Sequence, residues 1–157
     1  MPYLNRQIHL VGRPTGAPGP EHFSLVERDL SSGELRDGEV LVRNDYLSLD
    51  PYMRGRMNDA KSYAPPQPLN EVMLGGTAGA VLESRSERFS PGDSVVGMGG
   101  WQQYTVFDTA KRGALTKVDT SKIALSAYLG AAGMPGVTAW YGLHKIIEPR
   151  EGQTIAV

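Results

Sequence analysis

The run YLSLDPYMRGRM, residues 46–57, sets a carboxylate, a proline, a phenol, two thioethers and two guanidinium groups directly after a strand-like stretch. The Tyr52 phenol has the clearest chemistry. Its reference pKa of about 10 keeps the proton in place at neutral pH, so the hydroxyl can donate a hydrogen bond to a carbonyl oxygen without carrying charge. The residue types alone leave a second reading open, in which Pro51 shapes a turn and Tyr52 is a core tyrosine with a satisfied hydroxyl. Arg54 and Arg56 read as structural, holding carboxylates or loop carbonyls.

Other chemistries are narrower. Tyr63, in an irregular segment, and Met98 with Trp101, in GMGGWQQY, are candidates for the lining of an apolar slot, with ordinary packing as the alternative. The chain has no cysteine, which removes disulfides, thiolate nucleophiles and Cys-ligated zinc. His9, His22 and His144 lack metal-ligand spacing and are assigned to surface or core. No G-x-S-x-G elbow occurs. With 16 basic and 17 acidic residues and a net charge of -1, nothing draws the chain to nucleic acid or an anionic membrane.

The elements that must position these residues follow from punctuation and periodicity. Nineteen glycines and eleven prolines are scattered between short apolar runs, the texture of many short strands. RQIHLVGRP, FSLVERDL, GEVLVRNDYLSLD, VMLGGTAGAVLES, RFSPGDSVVGM, WQQYTVFD and GALTKV all read as β, with residues 51–68 irregular. Beyond residue 118 the texture changes. SKIALSAYLGAAGM and PGVTAWYGLHKII carry helical spacing, with Pro135 in the first turn of the second helix and Pro149 just past its end. Trp140, Tyr141 and Leu143 read as core. EGQTIAV then reads as a turn entering an apolar strand. The expectation is a mainly β domain over residues 1–122, and connecting helices with the first strand of an α/β domain over 123–157, the remainder of that domain being absent. No run of about 18 apolar residues occurs and the N-terminus lacks a signal-peptide core, so a cytoplasmic location is the default.

Three stretches carry a family resemblance: YLSLDPYMRGRM (46–57), SYAPP (62–66) and GMPGVTAWYGL (133–143). In this order and separation they resemble the zinc-independent branch of the medium-chain dehydrogenase/reductases. That branch holds prostaglandin reductases, plant alkenal double-bond reductases and, most similar, bacterial NADPH-dependent curcumin reductase. The resemblance implies a GroES-like, partly open β-barrel followed by a Rossmann domain, of which TIAV resembles the first strand. It implies NADPH as cofactor, most of its site lying in the absent domain, and a small-molecule enone or alkenal as substrate, reduced by hydride transfer to the β-carbon. Pro51 and Tyr52 resemble the segment against the nicotinamide and substrate, with Tyr52 catalytic. Met134 and Thr138 resemble residues bordering the nicotinamide. Tyr63, Met98 and Trp101 resemble substrate-side positions. No metal is expected, since Gly76 and Thr77 stand where the zinc enzymes have His and Glu. The fragment alone is expected to be inactive, and the full-length protein to form a homodimer. The rivals are a quinone reductase of the same superfamily and a non-catalytic GroES-like binding module.

Overall fold

The computed structural model describes residues 3–30 and 35–156. Eight strands, β1 (Tyr3–Leu10), β2 (Phe23–Leu30), β3 (Glu39–Leu47), β4 (Glu71–Val72), β5 (Thr77–Ser84), β6 (Ser94–Gly97), β7 (Tyr104–Asp108) and β8 (Leu115–Lys117), form two antiparallel sheets. The larger has the order β7-β3-β5-β6-β8 and the smaller β2-β1-β4. Together they make the curled, partly open barrel expected from the sequence.

Each sheet has its own apolar centre. Val40, Val42, Val81, Val95, Phe107 and Leu115 pack with Phe89 inside the larger sheet. Leu10, Met53, Met57 and Met73 form the second core, with Phe23, Tyr52, Leu74 and Trp101 packed on it. The region read as irregular contains a short helix, α1 (Tyr52–Arg56). Two features explain it. Pro51 has φ -55°, already helical, and Met53 and Met57 lie four residues apart, so they share one face and enter the second core together.

Buried amides join the sheets, beside the Tyr3–Tyr104 ring contact at 5.2 Å and the backbone bond from the Ile8 N–H to the Trp101 carbonyl at 2.8 Å. The Asn5 side-chain amide donates to Gln102 Oε1 and to the Tyr104 carbonyl, each at 3.0 Å, and its Oδ1 accepts from the Tyr104 backbone N–H at 3.0 Å. Gln7 Nε2 donates to Gln102 Oε1 at 2.7 Å, and Gln102 Nε2 donates to the Gly99 carbonyl at 2.7 Å. Buried amides satisfied in this way hold a specific arrangement, because losing any one partner leaves another unpaired. The network fixes the loop from Met98 to Gln102 against β1.

One glycine in β5 is obligatory. A Cβ at Gly79 would collide with the Arg43 carbonyl on β3, next to the register shift between Asn44 and Tyr46.

After β8 the chain forms a single 3-10 turn, Leu125–Leu129, where a longer helix was expected. Helix α2 (Met134–Tyr141) starts with Pro135 in its first turn and continues as π-helix over Gly142–Ile147. It ends at Glu148, left-handed with φ 48°, one residue before Pro149. Trp140 and Tyr141 are exposed rather than core, because no other element of the described chain covers that side of α2. Residues 153–156 have no sheet partner, and Val157, the last residue of the expected strand, lies outside the described residues. His9 is buried and its Nδ1 lies 3.0 Å from the Asn70 carbonyl, while His144 is exposed with its ring 5.3 Å from that of Trp140.

Candidate active site

Where β3 ends, the Ser48 N–H donates to the Gly76 carbonyl at 2.9 Å, tying the approach to α1 onto the start of β5. The Asp50–Pro51 turn follows, and the Met53 N–H closes it onto the Asp50 carbonyl at 3.1 Å. Arg54 then clamps α1 from outside, donating to the Gly16 and Pro14 carbonyls at 2.9 Å each and to Asn58 Oδ1 at 2.6 Å. Arg13 holds the exit from the helix through the Met57 carbonyl at 2.8 Å. The structural reading of Arg54 is therefore what the structure contains. Arg56 differs: its Nε is buried and has no partner among the described residues.

These constraints present Tyr52 to a cavity of about 250 Å³. Ser48 and Asp50 line it on the β3 side, Gly76 comes from just before β5, Val96 and Gly97 from β6 and Met98 from just after it, and Tyr128, Leu129, Met134 and Pro135 come from the C-terminal turn and α2. Tyr52 is half-buried and packs on the second core. Its pKa is raised above that of a free phenol, first by burial and then by the negative charge of Asp50, with Arg56 opposing. Both dominant causes favour the neutral phenol, which is the hydrogen-bond donor. Among the described residues its hydroxyl makes no hydrogen bond, so the donor is available to a guest.

Tyr52, Met98 and Met134 thus meet at one cavity although 46 and 82 residues separate Met98 and Met134 from Tyr52. The other candidates lie elsewhere. Pro51 shapes the turn but does not line the cavity. Tyr63 is 86% exposed. Trp101 belongs to the second core, its ring stacked on Phe23 at 5.6 Å, and its buried indole N–H has no partner among the described residues. Thr138 is exposed, and its hydroxyl donates back to the Met134 carbonyl at 2.8 Å, the usual use of a threonine within a helix. Sequence reasoning missed Ser48, Asp50, Tyr128 and Pro135 as wall residues. Asp50 and Ser48 had a usable signal, since they stand within a few residues of Tyr52. Tyr128 carried none, because its place depends on how the C-terminal turn folds back over β5 and β6.

The wall suits a flat, weakly polar ring. Only Ser48, Asp50 and the two tyrosines bring polar side chains to it, and no lysine or arginine lines it, so a phosphate would find no cation there. A Cβ added at Gly76 would meet only ordinary contacts, at 3.9 Å from Leu129 and 4.0 Å from Ser48, so glycine is not forced there by packing and leaves the surface flat. At about 250 Å³ the space lies below the range of roughly 300–1,000 Å³ that encloses whole small-molecule ligands. It can receive the ring end of a dinucleotide or a substrate, but not both in full. Among the described residues no three His, Asp or Glu side chains are grouped to hold a metal ion.

The family of N-terminal domains of oxidoreductases matches residues 6–118, all eight strands except the first three residues of β1. The chain belongs to that family. Within it, the chain is 47% identical to the NADPH-dependent curcumin reductase of Escherichia coli, over 98% of this chain and 43% of that protein. It is 35% identical to the NADP-dependent 2-alkenal reductase of Nicotiana tabacum, over 98% of this chain and 45% of that one. Among solved structures, CurA of Vibrio vulnificus in complex with NADPH superposes with a TM-score of 0.81 at 46% identity, covering 94% of this chain and 42% of CurA. The chain therefore spans less than half the length of the family members it matches, and these are zinc-independent medium-chain reductases, as the three sequence stretches implied.

Proposed function

We propose that this chain is the catalytic-domain portion of an NADPH-dependent reductase of the C=C bond in α,β-unsaturated ketones and aldehydes. The observation that carries the reading is the Tyr52 hydroxyl, neutral and without a hydrogen-bond partner among the described residues, on the wall of a mostly apolar cavity. The reductases of curcumin and of 2-alkenals among its relatives support the substrate class.

Bound NADPH supplies the hydride. When an enone gains hydride at its β-carbon, negative charge gathers on the carbonyl oxygen, and a positioned donor lowers the energy of that charge. Tyr52, on the cavity wall, is the donor this reading assigns to the task. Asp50 beside it adds to the retention of the phenol proton, so Tyr52 donates to the oxygen without becoming an anion itself. Met98, Met134 and Pro135 supply apolar surface that orients the reactants. On this chain the residues that would hold the nicotinamide end are Met134, Pro135 and Gly76, with Tyr52 facing it; the phosphates have no cationic partner on this wall. Residues 1–122 are proposed as the catalytic domain and 123–157 as the entry to a nucleotide-binding domain, a division supported by the family match ending at 118 and by the change from strands to helices.

The test is NADPH oxidation by the full-length protein that carries this chain, with benzylideneacetone and with a benzoquinone as alternative acceptors. A higher kcat/KM on the enone is expected. Preference for the quinone would replace the enone reading with quinone reduction, and no turnover of either would leave a binding module.

A further inference from the structure

Five of the chain's six methionines lie among the described residues, and the fold sorts them into two groups. Met53, Met57 and Met73 are 4%, 3% and 0% exposed within the second core. Met98 and Met134 are 60% and 73% exposed, and both line the candidate cavity. Met98 directly follows β6 and is held by the amide network through Gly99, while Met134 opens α2. Since the chain contains no cysteine, thioethers are the softest nucleophiles it offers to a peroxide, and their oxidation follows exposure.

We propose that Met98 and Met134 form an oxidation-sensitive rim of the cavity: hydrogen peroxide converts them to sulfoxides ahead of the buried methionines, and the oxidised rim rejects apolar enones. In the step, the sulfur lone pair attacks one peroxide oxygen, the O–O bond breaks and an S–O bond forms. The sulfur gives up two electrons, the peroxide takes them, and the second oxygen leaves as water after the proton on the first passes to it. A flexible apolar side chain becomes a polar one with a strong acceptor oxygen. Two effects follow at this wall. Apolar surface is lost where the substrate lies, and a sulfoxide oxygen competes with the substrate carbonyl for the unpartnered Tyr52 hydroxyl, which lines the same cavity. The order of oxidation is independent of any activity, whereas the rejection of enones rests on the function proposed above.

Peptide mapping by mass spectrometry after timed exposure of the 157-residue chain to hydrogen peroxide tests the first half. Met98 and Met134 should gain oxygen at least about tenfold faster than Met53, Met57 and Met73, and the difference should vanish in guanidinium chloride. Equal rates under native conditions, or faster reaction at the buried three, overturn it. For the second half, peroxide treatment of the full-length enzyme should raise the KM for benzylideneacetone about tenfold, and a methionine sulfoxide reductase should restore it. An unchanged KM with both sulfoxides present overturns the rejection of substrate. Absence of enone turnover before any oxidation overturns the enone reading and this half with it, while the oxidation rates stand or fall by themselves.

Discussion

Replacing Tyr52 with phenylalanine removes one oxygen atom and leaves the ring where it packs, against the core of Leu10, Met53, Met57 and Met73. The lost hydroxyl has no protein partner among the described residues, so no buried acceptor is left unsatisfied and stability should hardly change. Its worth in the reaction is the difference between donating to a neutral carbonyl and donating to an oxygen gaining charge. A hydrogen bond contributes about 0.5–1.5 kcal/mol between neutral groups and about 1.5–3 kcal/mol to a charged one, so the differential is about 1–2 kcal/mol. At about 1.36 kcal/mol per decade, kcat/KM for an enone should fall roughly tenfold. The assay is NADPH oxidation by full-length Tyr52→Phe protein with benzylideneacetone, alongside the KM for NADPH and the urea midpoint, both expected to stay near wild type. The direction of the pKa shift adds a second readout. Burial and Asp50 raise the phenol above its ordinary value, so any alkaline limb that Tyr52 contributes to kcat/KM lies above about pH 10 and is missing from the variant. Unchanged kcat/KM would remove Tyr52 from the mechanism, and a fall matched by a comparable loss of stability would mean the hydroxyl is structural.

Three other perturbations probe the frame around the site. Gly79→Ala drives a methyl group into the Arg43 carbonyl, a backbone obstacle that cannot swing aside, and should cost about 3 kcal/mol or more in urea unfolding of the chain; a wild-type midpoint would refute the β3–β5 geometry. The Asp93 carboxyl is held below its ordinary pKa, first by Lys117 Nζ at 2.6 Å and then by the Ser90 N–H at 2.9 Å. Its folded-state pKa being depressed, the stability it contributes is present above the unfolded carboxyl's pKa of about 3.9 and disappears as pH falls through the folded value. Thermal unfolding followed from pH 6 downward should therefore show a smaller acid loss in Asp93→Asn than in wild type, and parallel curves would refute the assignment. Finally, the 157-residue chain should oxidise no NADPH in the presence of an enone, because its cavity wall offers no cation for the dinucleotide's phosphates; measurable turnover would show that the chain holds the cofactor unaided.

Much of the barrel was legible in the residues themselves. Short β-rich runs separated by glycine and proline placed seven of the eight strands, since turn chemistry and strand composition are local properties. Pro135 and Pro149 bracketed the helical stretch for the same reason. The short helix α1 was missed because five residues show no period, yet the i,i+4 pair Met53 and Met57 was visible and would have pointed to it.

Strand β1 marks the limit of local reading. Its inward face carries Asn5, Gln7 and His9 while Leu4 is 45% exposed, the reverse of what hydropathy alone predicts. Those amides can be buried only because Gln102 and Tyr104, nearly a hundred residues later, supply the matching donors and acceptors. Trp101 follows the same logic, a cavity candidate by composition that the fold stacks on Phe23. The sequence by itself determined which residues could do chemistry, with Tyr52 foremost, and the family motifs around them. Only the tertiary structure decided that Tyr52, Met98 and Met134 share one wall while Tyr63, Trp101 and Thr138 do not. That choice depends on which distant backbone and side-chain groups pair, and pairing energies between residues far apart in the chain leave no periodic mark on it.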